Sequence, residues 1–477
     1  MTSLRTAFCL FFALLAGNAQ TAWKAGVGKV SVTPKEPIWL SGYANRTKPS
    51  EEVVQEIFVK ALALEDSSGG RAVIVTSDLQ GFGLAMVAAI HERARAKHGL
   101  KPDQIILNYS HNHSAPVTEG VLDLYYDLDA AQKAVVARYT AQVVEAVDRV
   151  IGLALADLKP AQISFGQGVA GIAVNRRRVR PGARHLPGPT DPDVPVLAVR
   201  GPEGALRAVL FGYACHNTAL GRYQISGDYA GWAQAEIEKT YPGTVALFLM
   251  GCGGDSNPLP RYQGADPRLA HYAMELASMY GKILAAAVDL TLHEKMESLG
   301  GPLRTALGSA ELPFEQTPAR AELEARLRAA RTPKLRREVE YQLGVLNREG
   351  KLPERVAYPV QVWRWGTGLT LIALTGEPVV DYSLRFKKQY GWERTWVAGY
   401  TNELLAYIPS LRVLKEGGYE GRDGVSEYGL PAPFGEAVEE VIARKVEELM
   451  RATQAVGREP GLTTGMPARQ RGHSSGE

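Results

Sequence analysis

Apolar runs of five to seven residues recur along the chain, and each breaks into a polar cluster. Ala72 to Thr76 leads into Ser77-Asp78, Ile105 to Tyr109 into Ser110-His111-Asn112-His113, and Ala208 to Ala214 into Cys215-His216-Asn217. Val245 to Met250 leads into Gly251 to Pro258, Leu369 to Leu374 into Thr375-Gly376-Glu377-Pro378, and Trp396 to Tyr400 into Thr401-Asn402. Unbroken apolar runs of this length suit strands buried on both faces. Helical periodicity between them predicts helices over Leu84–His98, with Gly99 as its cap, and over Ala130–Leu155, Tyr229–Lys239 and Pro267–Leu292. Strands alternating with helices indicate an α/β fold. Ligands in such folds gather beyond the carboxyl ends of the strands. All six polar clusters fall there, so they are expected to converge.

The remaining segments read as peripheral. Residues 317–352 are charged and helical, with a break near Pro333, and predict an exposed helical hairpin inserted in one domain spanning 20–452. The tail 453–477 is polar and rich in Gly and Pro, and is expected to be disordered. At the other end, Arg5 is the only charge before Lys24, Ala7 to Ala16 is apolar, and Gly17-Asn18-Ala19 are small or short residues. That pattern predicts a signal peptide over 1–19, cleavage near Ala19, and export to the periplasm or the medium. No later apolar stretch reaches transmembrane length. Lys+Arg 54 against Asp+Glu 51 leaves a formal charge of +3, which carries no electrostatic footprint for nucleic acid. Three cysteines exclude a disulfide-rich scaffold; after cleavage, Cys215 and Cys252 remain and are free to pair or not.

Nine histidines are present. His91, His98, His271 and His293 fall on helices and are expected to pack or face solvent, His185 lies in a Pro/Gly-rich loop, and His473 in the tail. Only His111, His113 and His216 directly follow strands. Histidine with carboxylate is the donor set of a catalytic zinc that keeps one position open for water. His111, His216 and Glu377 come from three separate strand ends. The His-x-His pair leaves two arrangements open: both rings bind one metal, or one binds it and the other faces substrate. Gly26-Val27-Gly28 lacks the third glycine of a dinucleotide fingerprint. Ser256 lacks a nucleophile elbow, and Gly251 to Gly254 are expected to form a turn with N–H groups facing the site.

At these residues the chain resembles the neutral/alkaline ceramidase family, zinc amidases that cleave N-acyl sphingosine. The resemblance runs collinearly from Gly26 to Gly429. It comprises GVGKVSVTP, SGYANR, Asp78, His111-Asn112-His113-Ser114-Ala115-Pro116, Val174-Asn175-Arg176, Cys215-His216-Asn217 with Ile225-Ser226-Gly227-Asp228, Thr375-Gly376-Glu377, Asn402 to Tyr407, and Tyr419-Glu420-Gly421. It implies β-sheets sandwiched between α-helices and a Zn2+ held by His111, His216, Glu377 and Tyr407. It places His113 and Arg176 against the substrate carbonyl and Tyr419 in the same site, with Asp255 and Ser256 lining it. The chain departs from the family in three ways. Gly254-Asp255-Ser256-Asn257-Pro258 replaces Gly-Asp-Val-Ser-Pro-Asn, Ala115 replaces a glycine, and no C-terminal immunoglobulin-like domain follows.

The implied activity is hydrolysis of a linear amide in an N-acyl lipid or a smaller N-acyl compound by zinc-activated water. The departures favour a short or more soluble substrate over ceramide. Two other readings stand beside it. One is a different metal-dependent hydrolase superfamily, with His111 and His113 both ligating in a (β/α)₈ barrel. That fold would carry its His-x-His on the first strand, whereas strand-like runs precede it here. The other is a binding protein with a vestigial site, against which the full set of four ligand types argues.

Overall fold

A computed structural model describes residues 23–178, 188–262 and 266–454. The expected leader, His185, His473 and the tail beyond Gln454 lie outside the described residues; Thr453 and Gln454 close the helix Val438–Gln454. Thirteen strands form one hydrogen-bonded network, twelve in a continuous order and the two-residue Glu297–Ser298 paired to Lys159–Val169 beside it. One wing runs in the order Val245–Met250, Leu206–Tyr213, Asp193–Arg200 and Lys159–Val169. The other runs Trp23–Ser31, Phe58–Asp66, Arg71–Ser77, Ile105–Tyr109, Thr395–Thr401, Leu369–Thr375, Arg355–Trp365 and Leu303–Pro313. A short pairing of Trp23 to Ala25 with Ala161 to Lys159 joins them, and an isolated bridge links Gly251 to Ala398.

Side-chain alternation shows how the wings are arranged. Leu62, Leu64, Ile74 and Ile106 of one wing share a buried cluster with Leu197, Leu210, Leu247 and Leu249 of the other, and no helix contributes to it. The alternate residues Val59, Val73, Val75 and Leu107, with Val196, Phe211 and Phe248, pack instead against helices Leu84–His98, Ala130–Ala156, Asp228–Thr240 and Ala270–His293. Val360, Val362 and Ile372 meet the helices Val380–Tyr390 and Val438–Gln454. The strands with unbroken apolar runs therefore have two buried faces, as those runs require. The result is a pair of sheets between helical layers. Gly26 and Gly28 serve this packing: a Cβ on either would collide with the backbone of the helix Ala130–Ala156.

One buried side chain ties the wings together near the site. Asn108 accepts from Met250 N–H at 2.9 Å and donates to the carbonyl of Gly399 at 2.8 Å and toward that of Met250 at 3.4 Å. Losing it would leave buried backbone groups unpaired, at roughly 1–3 kcal/mol each.

The charged hairpin forms as helices Arg320–Ala329 and Pro333–Glu349, with Pro333 opening the second. It is less exposed than its charge suggests. Glu338 and Gln342 are buried, accepting from Ser426 Oγ and donating to the Leu430 carbonyl, and Lys334 pairs with Glu427. Its inner face thus braces the segment around 419–430. Among the described residues, no helix is long and apolar enough to cross a membrane. Cys215 and Cys252 are both buried and unpaired.

Candidate metal centre

The strand Ile105–Tyr109 ends where the Ser110 N–H bonds to the Ser77 carbonyl, and the chain then turns sharply. His111 has φ +56°, in the left-handed region that non-glycine residues rarely occupy. Its buried imidazole has Nδ1 3.0 Å from the Gln80 carbonyl. A carbonyl only accepts, so Nδ1 carries the proton and Nε2 presents a lone pair. His216, after the strand Leu206–Tyr213, repeats the device: Nδ1 donates to the Gly253 carbonyl at 2.7 Å. Burial and the neighbouring Arg176 push its pKa down to about 4, so it holds no second proton near neutrality.

Glu377 is fully buried, and its Oε1 accepts from Tyr428 OH at 2.5 Å. Its Oε2 lies 3.1 Å from His111 Nε2 and 3.3 Å from His216 Nε2, and has no hydrogen-bond donor of its own. The short parallel pairing of Glu377–Pro378 with Tyr407–Ile408 sets Tyr407 beside Glu377, and Tyr407 OH lies 3.3 Å from His216 Nε2. Two imidazole lone pairs and a carboxylate oxygen thus converge on one point, where a cation would relieve their mutual repulsion. Nitrogen and oxygen donors of these types fit zinc.

His113 is the third ring of the cluster. Ligand atoms of His111, His113 and His216 all lie within 4.8 Å of one another, and His113 Nε2 is 3.1 Å from His111 Nε2. Its environment differs. Metal-binding imidazoles almost always donate their second N–H to a fixed acceptor. His111 and His216 do so, whereas His113 Nδ1 is buried without a partner. Its ring is packed edge-on against Tyr43 at 5.0 Å, and burial together with His111 and His216 keeps its pKa well below the usual range.

Gly42 closes the other side of that ring. It has φ +106°, and a Cβ there would press into Nδ1 and Cγ of His113. Gly42→Ala is therefore expected to shift the imidazole and cost on the order of a hundredfold in kcat. Steady-state kinetics beside a melting curve check this: an unchanged kcat would show that the ring position is unimportant.

Arg176 completes the cluster from the short strand Ala173–Asn175, which pairs with Ser256–Pro258. Its Nε donates to Glu420 at 2.6 Å, Nη1 lies 3.5 Å from His216 Nε2, and Nη2 is buried without a partner. Tyr419 stands at the rim, 39% exposed, with its ring centroid 5.3 Å from that of Tyr407. The expected place of Asp255 in the substrate wall needs correction. Asp255 has no exposed surface, and its oxygens accept from Val380 N–H and Asn175 Nδ2, both at close range. It is a buttress whose carbonyl also takes the Arg176 N–H at 2.8 Å. Ser256 is equally buried; its carbonyl holds the His216 N–H, and its Oγ has no partner. The glycine turn also works the other way round. The N–H groups of Gly251, Gly253 and Gly254 are taken by backbone carbonyls, and it is the carbonyl of Gly253 that serves the site.

Comparison with known proteins follows this geometry. Residues 23–258 match the family model described as neutral/alkaline non-lysosomal ceramidase, N-terminal. The chain belongs to the neutral/alkaline ceramidase family. A crystal structure of neutral ceramidase from Pseudomonas aeruginosa is similar in fold, with TM-score 0.71 and 19% identity over 92% of this chain and 76% of that one. A structure described as ceramidase complexed with C2 gives TM-score 0.70 and 18% identity over 95% and 79% of the two chains. No curated protein sequence matches the chain.

Several residues of this ceramidase-family site escaped the sequence reading. Tyr428 fixes Glu377, and Glu420 is shared between Arg176 and Arg177. Arg46 is buried beneath the cluster and donates to the carbonyls of Ser41, His113 and Arg222. Glu420 and Arg46 lie inside segments quoted for the resemblance, which was their available signal. Tyr428 lies in the helical turn Val425–Tyr428 that the hairpin braces, and nothing local in the sequence marks it.

Proposed function

We propose that this protein is a zinc-dependent amidohydrolase that cleaves an N-acyl amide. The observation that carries the reading is the contrast among three adjacent histidines. His111 and His216 are locked by carbonyls with their lone pairs converging on Glu377, while His113 lacks that restraint. His111, His216, Glu377 and Tyr407 would hold the ion, and family membership supports the reaction class. Zinc in such a site supplies a water acidic enough to lose a proton near neutrality. Arg176 Nη2, the unpartnered buried donor, is assigned to the carbonyl oxygen as charge develops there, a task worth about 2.7–4 kcal/mol per donor. His113 is assigned a proton-holding role beside the carbonyl and the departing amine. Glu420 and Tyr428 keep Arg176 and Glu377 in place.

The substrate reading follows from residues 255–258, which run beneath Arg176 and depart from the family pattern. A changed floor changes which acyl amide gains binding energy in the transition state. Short N-acyl amides are expected to be cleaved and long-chain ceramide poorly. The test is kcat/KM for both in matched detergent, with chelated protein and zinc-restored protein side by side. Hydrolysis that survives complete chelation sinks the metal reading. A ceramide preference of a hundredfold or more, roughly 2.7 kcal/mol, sinks the substrate reading.

A further inference from the structure

The segment that departs from the family does more than pair with the strand before Arg176. It continues past Pro258 to Arg261, a half-buried guanidinium whose Nη1 donates to Thr218 Oγ1 at 3.1 Å. Thr218 is two residues beyond His216. Arg261 lies in the electrostatic field of Tyr43, the ring packed on His113, and of Arg176, the neighbour of His216. The Thr218 N–H in turn bonds to the His216 carbonyl, so Arg261 is joined to the metal cluster through a single residue.

The carboxylates around the cluster are engaged by groups other than Arg261, Glu377 with His111 and His216. Glu420 is committed to Arg176 and Arg177. Asp228 spends its oxygens on the N–H groups of Ala219, Leu220 and Tyr229. Arg46 donates to backbone carbonyls alone. Among the described residues no carboxylate forms an ion pair with Arg261, and Nη2 of Arg176 is buried without a partner. Half-buried guanidiniums without a counter-charge are suited to a planar anion from outside the chain. Near a centre that acts on an amide, that anion belongs to the substrate.

Resting on the amidohydrolase reading, we infer that Arg261 selects substrates by pairing with a carboxylate on the amine half, so that N-acyl amino acids are preferred over uncharged N-acyl amines. The zinc-loaded protein is given N-lauroylglycine and N-lauroylglycinamide, and release of lauric acid is followed for each. The expected acid-to-amide ratio of kcat/KM is about tenfold or more at low salt, falling as salt screens the pair. Arg261→Gln is expected to lower that ratio at least about fivefold, and Arg261→Lys to retain more of it than Arg261→Gln. Both substrates are measured on one preparation, so a variant that folds poorly still reports a valid ratio. A ratio near one in the native protein, or an unchanged ratio in Arg261→Gln, overturns the inference while leaving the hydrolase reading standing. Equal losses in the two variants show that charge is not the cause. Release of lauric acid from neither substrate, with short-chain N-acyl amides also left uncleaved, overturns the hydrolase reading itself.

Discussion

Replacing His216 with alanine is expected to strip the protein of its metal and of its turnover together. Nε2 of His216 meets Glu377 Oε2 at 3.3 Å and Tyr407 OH at 3.3 Å, so it is the ring that touches the two oxygen donors of the proposed set. Its other nitrogen is spent on Gly253, leaving no alternative orientation for the ring. Metal analysis of the purified variant should fall from one zinc per chain to a small fraction of that. Metal activation of water contributes several kcal/mol, so the loss in kcat should reach roughly a thousandfold. A variant that keeps stoichiometric zinc would contradict the ligand assignment. Because the chain around His216 is also held by its backbone N–H to Ser256, the fold should survive the loss of the imidazole, which a melting curve verifies.

The second large effect separates two roles for adjacent rings. His113→Ala should keep its zinc and lose most of its turnover, by about a hundredfold to ten-thousandfold. His111→Ala should lose both. The two rings differ at Nδ1, which is fixed on the Gln80 carbonyl in His111 and unpartnered in His113. If His113→Ala sheds metal as His111→Ala does, both rings are ligands and the proton-holding role falls elsewhere.

The legible parts of the fold were those with two buried faces. Ile105–Tyr109 and Val245–Met250 read as strands because every position is apolar or enclosed. Lys159–Val169 and Leu303–Pro313 went unread because they interleave exposed and buried residues and include glycines. His111, His216 and Glu377 were legible because a strand end is a place where polar side chains gather. Gln80 and Gly253 were not, because each acts through a backbone carbonyl, which leaves no mark on residue type. Asp255 misled for the complementary reason. An acid after a glycine turn resembles a site residue, yet here its charge is spent inside the protein on Val380 and Asn175.

Asn108 touches no ligand of the proposed site, yet it governs the site's tolerance of change. Three chain segments leave the strands beside it: 109–113 with the His-x-His pair, 251–254 with the acceptor for His216, and 400–407 ending in Tyr407. A primary amide is able to accept from one of these segments and donate to another at the same moment, which a carboxylate of equal size cannot do. The three walls are thereby set at fixed heights relative to one another by a single group below them. The side chains of residues 256–261 make no hydrogen bond to Asn108, so substitutions there leave this anchor in place.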